Sequence, residues 1–206
     1  MSRLFVVGGV FASVVLIVFG IGSIAAGAIG RSDVSDKLEQ EGIIGSDDMT
    51  PEAIAKGARA AGLTNVELPT CSVAGEAIDT GSEAKCFAEY MRVHALEATG
   101  GKTYAQMPRF ATADGEGTND AEAAEKRPDG SPMDNPARSI WVTETALGTA
   151  LNTSYFAQQV GLFGIVMGVA LLLTGIGFLV LTLGVLRRTG AGEREVPQPA
   201  PAHSGA

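Results

Sequence analysis

"VGLFGIVMGVALLLTGIGFLVLTLGVL", residues 160–186, runs for 27 positions without a charged side chain. A helix rises about 1.5 Å per residue, so this run reaches roughly 40 Å, against about 30 Å for the hydrocarbon core of a bilayer. The core helix of a soluble protein rarely needs so long an uncharged stretch. A second run of the same length extends from Leu4 to Gly30. Together they predict a chain that crosses a bilayer twice, with some tilt.

The residues between the runs have a different character. Residues 31–159 carry 11 Lys and Arg against 21 Asp and Glu, a net charge of −10, so nearly all the acidity of the chain lies there. Such a surface repels nucleic acid and anionic lipid headgroups, and no nucleic-acid partner is expected.

Basic residues at the ends of a span set its orientation. Arg187 and Arg188 follow the second run directly and Arg194 comes soon after, whereas the nearest basic residue before it is Arg138. That asymmetry places the C-terminus in the cytoplasm. Arg3 before the first run and Arg31 and Lys37 after it give a weaker signal. Two spans put both termini on one side, so the reading is a plasma-membrane protein with residues 31–159 outside the cytoplasm. Ala26-Gly27-Ala28 has the small-x-small form of a signal-peptidase site, and cleavage there would leave a single span. The preceding apolar stretch is longer than a signal peptide requires, which favours the uncleaved anchor.

Cys71 and Cys86, the only cysteines, both lie in the acidic segment. In an oxidising compartment a pair 15 positions apart reads most simply as a disulfide. Zinc held by these cysteines with His94 would need a fourth ligand, and none stands at a metal-binding spacing. No metal and no cofactor is therefore expected.

Helix signals dominate from residue 31 to 110. "SDVSDKLEQEG" spaces Val34 and Leu38 four apart and ends near Gly42. Thr50-Pro51-Glu52 supplies an N-cap, a first-turn proline and an acid for "PEAIAKGARAA", which Gly62 stops. "LTNVELPTC" alternates Val66 and Leu68 as a short extended piece. Thr80-Gly81-Ser82-Glu83 matches a capping box. Ala84, Phe87, Ala88, Met91, Ala95 and Ala98 then form one apolar helix face.

Gly100-Gly101-Lys102-Thr103 contains the letters of a phosphate-binding loop, but it follows a helix where such a loop would precede one. Leu96 also stands where the first glycine is required. These residues read as a helix C-cap. Tyr90, His94, Tyr104 and Met107 are the candidate ligand contacts, lining an expected groove near this cap.

Residues 111–138 are rich in Asp, Glu, Gly, Asn, Pro and Ala, and predict a flexible acidic linker. A juxtamembrane helix over 139–159 follows, with either Trp141 or Tyr155 and Phe156 near the interface. The Pro/Gly/Ala-rich tail is expected to be disordered. The full division is a cytoplasmic N-terminus 1–3, a transmembrane helix 4–30, a helical domain 31–110, the linker 111–138, the juxtamembrane helix 139–159, a transmembrane helix 160–186 and a cytoplasmic tail 187–206. The fold class is mainly α, two transmembrane helices flanking a small disulfide-stapled helical extracytoplasmic domain.

Both spans are rich in glycine. Gly161, Gly168 and Gly175 recur every seven positions, Gly164 and Gly168 make a G-x-x-x-G, and Gly9, Gly20 and Gly27 lie nearly in line. In lipid, close backbone approach at small residues drives helix association. The two spans packing on each other and docking onto another integral membrane protein both satisfy this pattern. Gly177 and Gly184, on a different face, leave room for both. Neither span holds a charge, which argues against a stand-alone channel or transporter.

Residues 80–107, with Thr80-Gly81, Ala84-Lys85, Ala88, His94 and Gly100-Gly101-Lys102-Thr103-Tyr104, resemble a segment of uncharacterised actinobacterial two-span membrane proteins. The wider layout is similar too. Members of that family often carry the automatic label of aromatic ring-opening dioxygenase. The resemblance implies no established activity and no functional residue. An extradiol dioxygenase holds Fe(II) with two His and a carboxylate. The two histidines here, His94 and His203, fall on opposite sides of the bilayer. No Ser/His/Asp set assembles around His94. The expectation is a non-catalytic accessory or scaffolding subunit of a membrane complex. The competing expectation is an extracytoplasmic module that binds or senses a small ligand.

Overall fold

The computed structural model describes residues 3–192. It is mainly helical: α1 (Arg3–Glu41), α2 (Pro51–Ala60), α3 (Gly81–Ala98), a 3-10 turn (Tyr104–Gln106) and α4 (Pro136–Gly192). The chain divides into two compact units, one of residues 1–29 with 161–206, the other of residues 30–160. Helices α1 and α4 each contribute to both. The side chains of Arg3, Arg187 and Arg188, and all of residues 193–206 with Arg194 and His203, lie outside the described residues.

In the first unit two helices, each long and apolar enough to cross a membrane, run antiparallel along a glycine seam. A Cβ on Gly20 would come within 2.8 Å of the Gly168 carbonyl oxygen, and one on Gly168 within 2.7 Å of the Gly20 carbonyl oxygen. At Gly175 it would meet Leu16 and the Ser13 carbonyl at 3.0 Å. Backbones that close leave no room for a methyl group. Gly27 faces Gly161 and Ile165, and Gly9 faces Thr182. Gly164 is looser, its nearest neighbour 3.6 Å from a built Cβ. Two serine hydroxyls on this seam are satisfied without water: Ser23 donates to the Gly164 carbonyl at 2.7 Å, and buried Ser13 to that of Gly9 at 2.7 Å. By contrast Gly8, Gly22, Gly177 and Gly184 meet nothing within 4 Å.

The second unit is built on α2 and α3. Thr50 Oγ1 accepts from the Ala53 N–H and Pro51 opens α2. The capping box of α3 is complete, with Glu83 N–H donating to Thr80 Oγ1 at 3.3 Å and Thr80 N–H to Glu83 Oε2 at 2.9 Å. At the other end Gly100 and Gly101 take φ of 63° and 77°, and Gly101 N–H returns to the Leu96 carbonyl at 2.8 Å. This left-handed closure needs glycine, so the four letters of the phosphate-loop motif form a helix terminus. Ile54 and Ala58 of α2 bury against Ala84, Ala88, Tyr90 and Val93 of α3, with Leu38, Met49, Val73 and Ile78 closing the core. The Cys71–Cys86 disulfide, 6.2 Å between Cα atoms, ties the incoming loop to α3.

The piece at Val66 and Leu68 lies outside every helix and joins no ladder; among the described residues only isolated bridges occur. Three expectations are corrected. The short helix ending near Gly42 is not separate, because α1 continues unbroken to Glu41. The juxtamembrane helix and the second span are one helix, which also takes in the first six residues of the expected tail, to Gly192.

The third correction concerns residues 111–138, which fold back on themselves. Phe110 bridges both Thr118 and Asp134, and Ala111, Glu125 and Met133 exchange backbone bonds of 2.8–2.9 Å. Composition misled here because the segment is held by local polar bonds more than by apolar burial. Thr112 donates to Asp114, Glu122 N–H to Asp120, and Ser131 to Asp129, while Arg127 pairs with Asp134 at 2.7 Å. Asn135 then caps α4 by accepting from Ala137 N–H, ahead of Pro136.

Candidate functional site

Within residues 30–160, α3 lies along the first turns of α4. Trp141, Glu144, Gly148, Leu151 and Gln158 are buried on α4, separated by three, four, three and seven positions. This is the repeat of a helix seam. On α3 the facing residues include Gly81, Ala88 and Ala95, seven apart and all buried. A Cβ on Gly81 would come within 2.7 Å of Tyr155 Cα. Its N–H donates to Gln158 Oε1, whose amide donates in turn to Ser35 Oγ, and Arg31 donates to the Gln158 carbonyl at 3.0 Å.

One ion pair interrupts this small-residue seam. Arg92 of α3 meets Glu144 of α4 at 3.0 Å, and its guanidinium lies 3.9 Å from the centre of the Trp141 ring. Glu144 is only 7 % exposed, and Thr145 donates to the same carboxylate oxygen. Beside the pair opens a groove of about 880 Å³, lined by Glu67, Lys85, Glu89, Asn152 and Phe156 among others. Lys85 there pairs with Glu89 at 3.7 Å.

The four expected ligand contacts do not share a groove. Tyr90 is fully buried, and its hydroxyl donates to the Cys71 carbonyl at 2.6 Å. Burial, with the charge of Glu89 adding to it, pushes this phenol up from its ordinary value. Met107 is buried with Ala95 and Trp141. Tyr104 is half-exposed under the Arg138 guanidinium, 3.9 Å away. His94 stands between two acids, Nδ1 at 3.1 Å from Glu97 and Nε2 at 3.5 Å from Asp48. The Asp48 carboxyl lies below its ordinary value, chiefly through the hydrogen bond from Ser46, with His94 adding to it. His94 borders a shallow apolar opening with Met91, Ala98 and Ile140, and Tyr104 a separate polar one with Arg109, Asp134 and Arg138.

The pair Arg92–Glu144 and the groove beside it had no sequence signal as a site. Arg92 reads as a solvated residue on the polar side of α3, and its partner lies 52 positions away. The glycines Gly9, Gly20, Gly27, Gly161, Gly164, Gly168 and Gly175 all face the opposite helix of their own unit. No cluster of three or more potential metal ligands is present among the described residues. Comparison with protein-family models, with curated proteins and with solved structures finds no significant match.

Proposed function

We propose that this chain is an integral membrane protein, crossing the bilayer twice with both termini in the cytoplasm, and that it works without catalysis as an accessory or scaffolding subunit. One observation carries this reading. The chemistry-bearing side chains of the outer unit are spent on structure: the cysteines on each other, Arg92 on Glu144 and Trp141, His94 on Glu97 and Asp48, and Tyr90 on a backbone carbonyl. What stays open is surface. The glycine seam, once a candidate for docking a partner, is occupied by the chain's own two helices. A membrane partner therefore meets other faces, such as those of Gly8, Gly22, Gly177 and Gly184. Kinship with the actinobacterial two-span proteins belongs to the same proposal and rests on residues 80–107.

The test is extraction from native membranes in mild detergent after light crosslinking, with mass spectrometry of what stays bound. A stoichiometric membrane partner supports the accessory reading. A protein that emerges alone contradicts it.

A second reading is favoured by the groove beside Arg92 and Glu144. Its mixed charges, Lys85 against Glu67 and Glu89, suit a small polar ligand better than an apolar one. Ligand-dependent thermal stabilisation, lost in Arg92→Met, would move the weight to binding or sensing.

A further inference from the structure

Two arginines of the unit formed by residues 30–160 stand without an acid. Arg109 is exposed and Arg138 half-buried, and among the described residues neither has a carboxylate oxygen within 4.0 Å. Residues 31–159 hold 21 Asp and Glu against 11 Lys and Arg, so carboxylates are not scarce. Each guanidinium lies over an aromatic ring instead, Arg138 at 3.9 Å from the centre of Tyr104 and Arg109 at 5.2 Å from that of Phe110. A ring covers the flat face of a guanidinium and leaves the N–H donors around its edge unused. Those donors form the fork that takes a carboxylate by two bonds at once.

Both arginines line one groove of about 450 Å³, together with Tyr104, Ser139 and Thr143. Asp134, the acid in its lining, is already paired with Arg127 at 2.7 Å. The hydroxyls are free as well. Further along α4, Thr149, Thr153 and Ser154 each donate to the carbonyl four residues back. Ser139 and Thr143, themselves four apart, do not: among the described residues neither hydroxyl has a protein partner. At physiological salt the field of a charge fades within about 8 Å. The potential inside the groove is therefore set by its own two unpaired guanidiniums, and not by the net −10 of residues 31–159.

We propose that this groove binds a small organic dianion, a dicarboxylate whose two acid groups meet Arg109 and Arg138 and whose other oxygens meet Ser139 and Thr143. Two forks without an acid call for two carboxylates, and the free hydroxyls call for further polar atoms between them. The volume decides against a bare inorganic ion, because phosphate alone would leave most of the groove to water, whereas cavities of this size suit small organic ligands. The site shares no lining residue with the groove beside Arg92. It also depends neither on the accessory reading nor on which side of a membrane it stands.

The experiment is isothermal titration of malate, succinate and inorganic phosphate into the full chain in detergent. Saturable binding of both dicarboxylates is expected, weakened about tenfold or more by Arg109→Gln and by Arg138→Gln. Arg59→Gln removes the same charge from exposed α2 surface, outside the groove, and should leave binding unchanged. Thermal unfolding without ligand checks that each variant is folded. Arg109→Gln should not move it, because that side chain is exposed and makes no hydrogen bond among the described residues. If Arg138→Gln unfolds, Arg109→Gln alone decides. No saturable binding of either acid, binding kept in a folded arginine variant of the groove, an equal loss in Arg59→Gln, or phosphate bound as tightly as the dicarboxylates overturns the proposal.

Discussion

Arg92 of α3 and Glu144 of α4 close a 3.0 Å ion pair whose acid is nearly buried, and the same guanidinium covers the face of Trp141. The arginine thus joins α3 to α4 in two ways, by charge and by stacking. Removing it strands a desolvated carboxylate. Because Arg92 itself is half-exposed, the loss is moderated by water: Arg92→Met should destabilise the unit of residues 30–160 by about 2 kcal/mol. Arg92→Lys should recover only part of this, since an ammonium lacks the planar stack. Thermal unfolding in detergent, followed at the single tryptophan, Trp141, reads both effects.

The glycine seam sorts substitutions by position. Gly168→Leu and Gly20→Leu force backbones apart where a Cβ already meets a carbonyl oxygen within 3 Å, and each should separate the two apolar helices. Gly164→Ala, with 3.6 Å available, should be near neutral. Gly177→Leu lies off the seam and should leave the helix pair intact. Yield of a disulfide between cysteines placed at positions 24 and 165, in each background, measures the separation.

Closing the 15-residue Cys71–Cys86 loop should contribute about 3 kcal/mol in the chain-entropy view. Unreduced, denatured protein should therefore resist maleimide labelling, and Cys71→Ser with Cys86→Ser should unfold at lower temperature. Tyr90→Phe leaves the Cys71 carbonyl without its donor and should cost about 1 kcal/mol.

Acid should loosen the start of α3. Burial alone would raise the Glu83 carboxyl, but the Thr80 and Asp79 backbone donors outweigh it and hold the group below its ordinary value. Asp79 beside it is shifted the other way, by its bond to Glu83 and then by repulsion from it. A carboxyl depressed in the folded state stabilises while ionised. That contribution is complete above the ordinary value of about 4.3 and disappears as pH falls through the depressed one. Asp48, also depressed, acts in the same direction. Glu83→Gln should flatten the acid limb of a stability-against-pH curve and leave stability at pH 7 lower by about 1 kcal/mol.

Hydrogen exchange should distinguish an ordered 111–138 from a flexible one. The amides of Glu125 and Met133, bonded to Ala111 and Glu125, should exchange more slowly than those of Ala121 and Glu122 nearby, whose segment lacks such pairing except for Glu122 to Asp120. Phe110→Ala, which removes the buried hinge of both bridges, should erase the difference.

The legible parts of this chain are those governed by local rules. Thr50, Thr80 and Glu83 announce helix starts, Gly100 and Gly101 a helix stop, and two long uncharged runs announce themselves. Glycine spacing pointed to a helix seam, and its geometry shows which surface each glycine meets. Pairings across long separations were not legible: nothing in the sequence joins Arg92 to Glu144 or sets Tyr90 under Cys71. The ordered acidic segment escaped for a different reason. Its order comes from side chain–backbone bonds of Asp, Thr and Ser, whose composition is also that of disordered chains.

Arg31 donates to the carbonyl of Gln158, and this bond acquires a meaning in the proposed bilayer. From Thr145 to Leu186 the uncharged stretch of α4 spans roughly 63 Å, twice the hydrocarbon thickness. Its hydrophobicity fixes no depth; that helix alone could slide along the membrane normal by several turns. Helix α1 has far less play, since its uncharged run ends at Arg31. Two bonds then tie Gln158 to α1, one from Arg31 to its carbonyl and one from its amide to Ser35. Replacing Arg31 with leucine would leave the second, together with the register that Gly20 and Gly168 set.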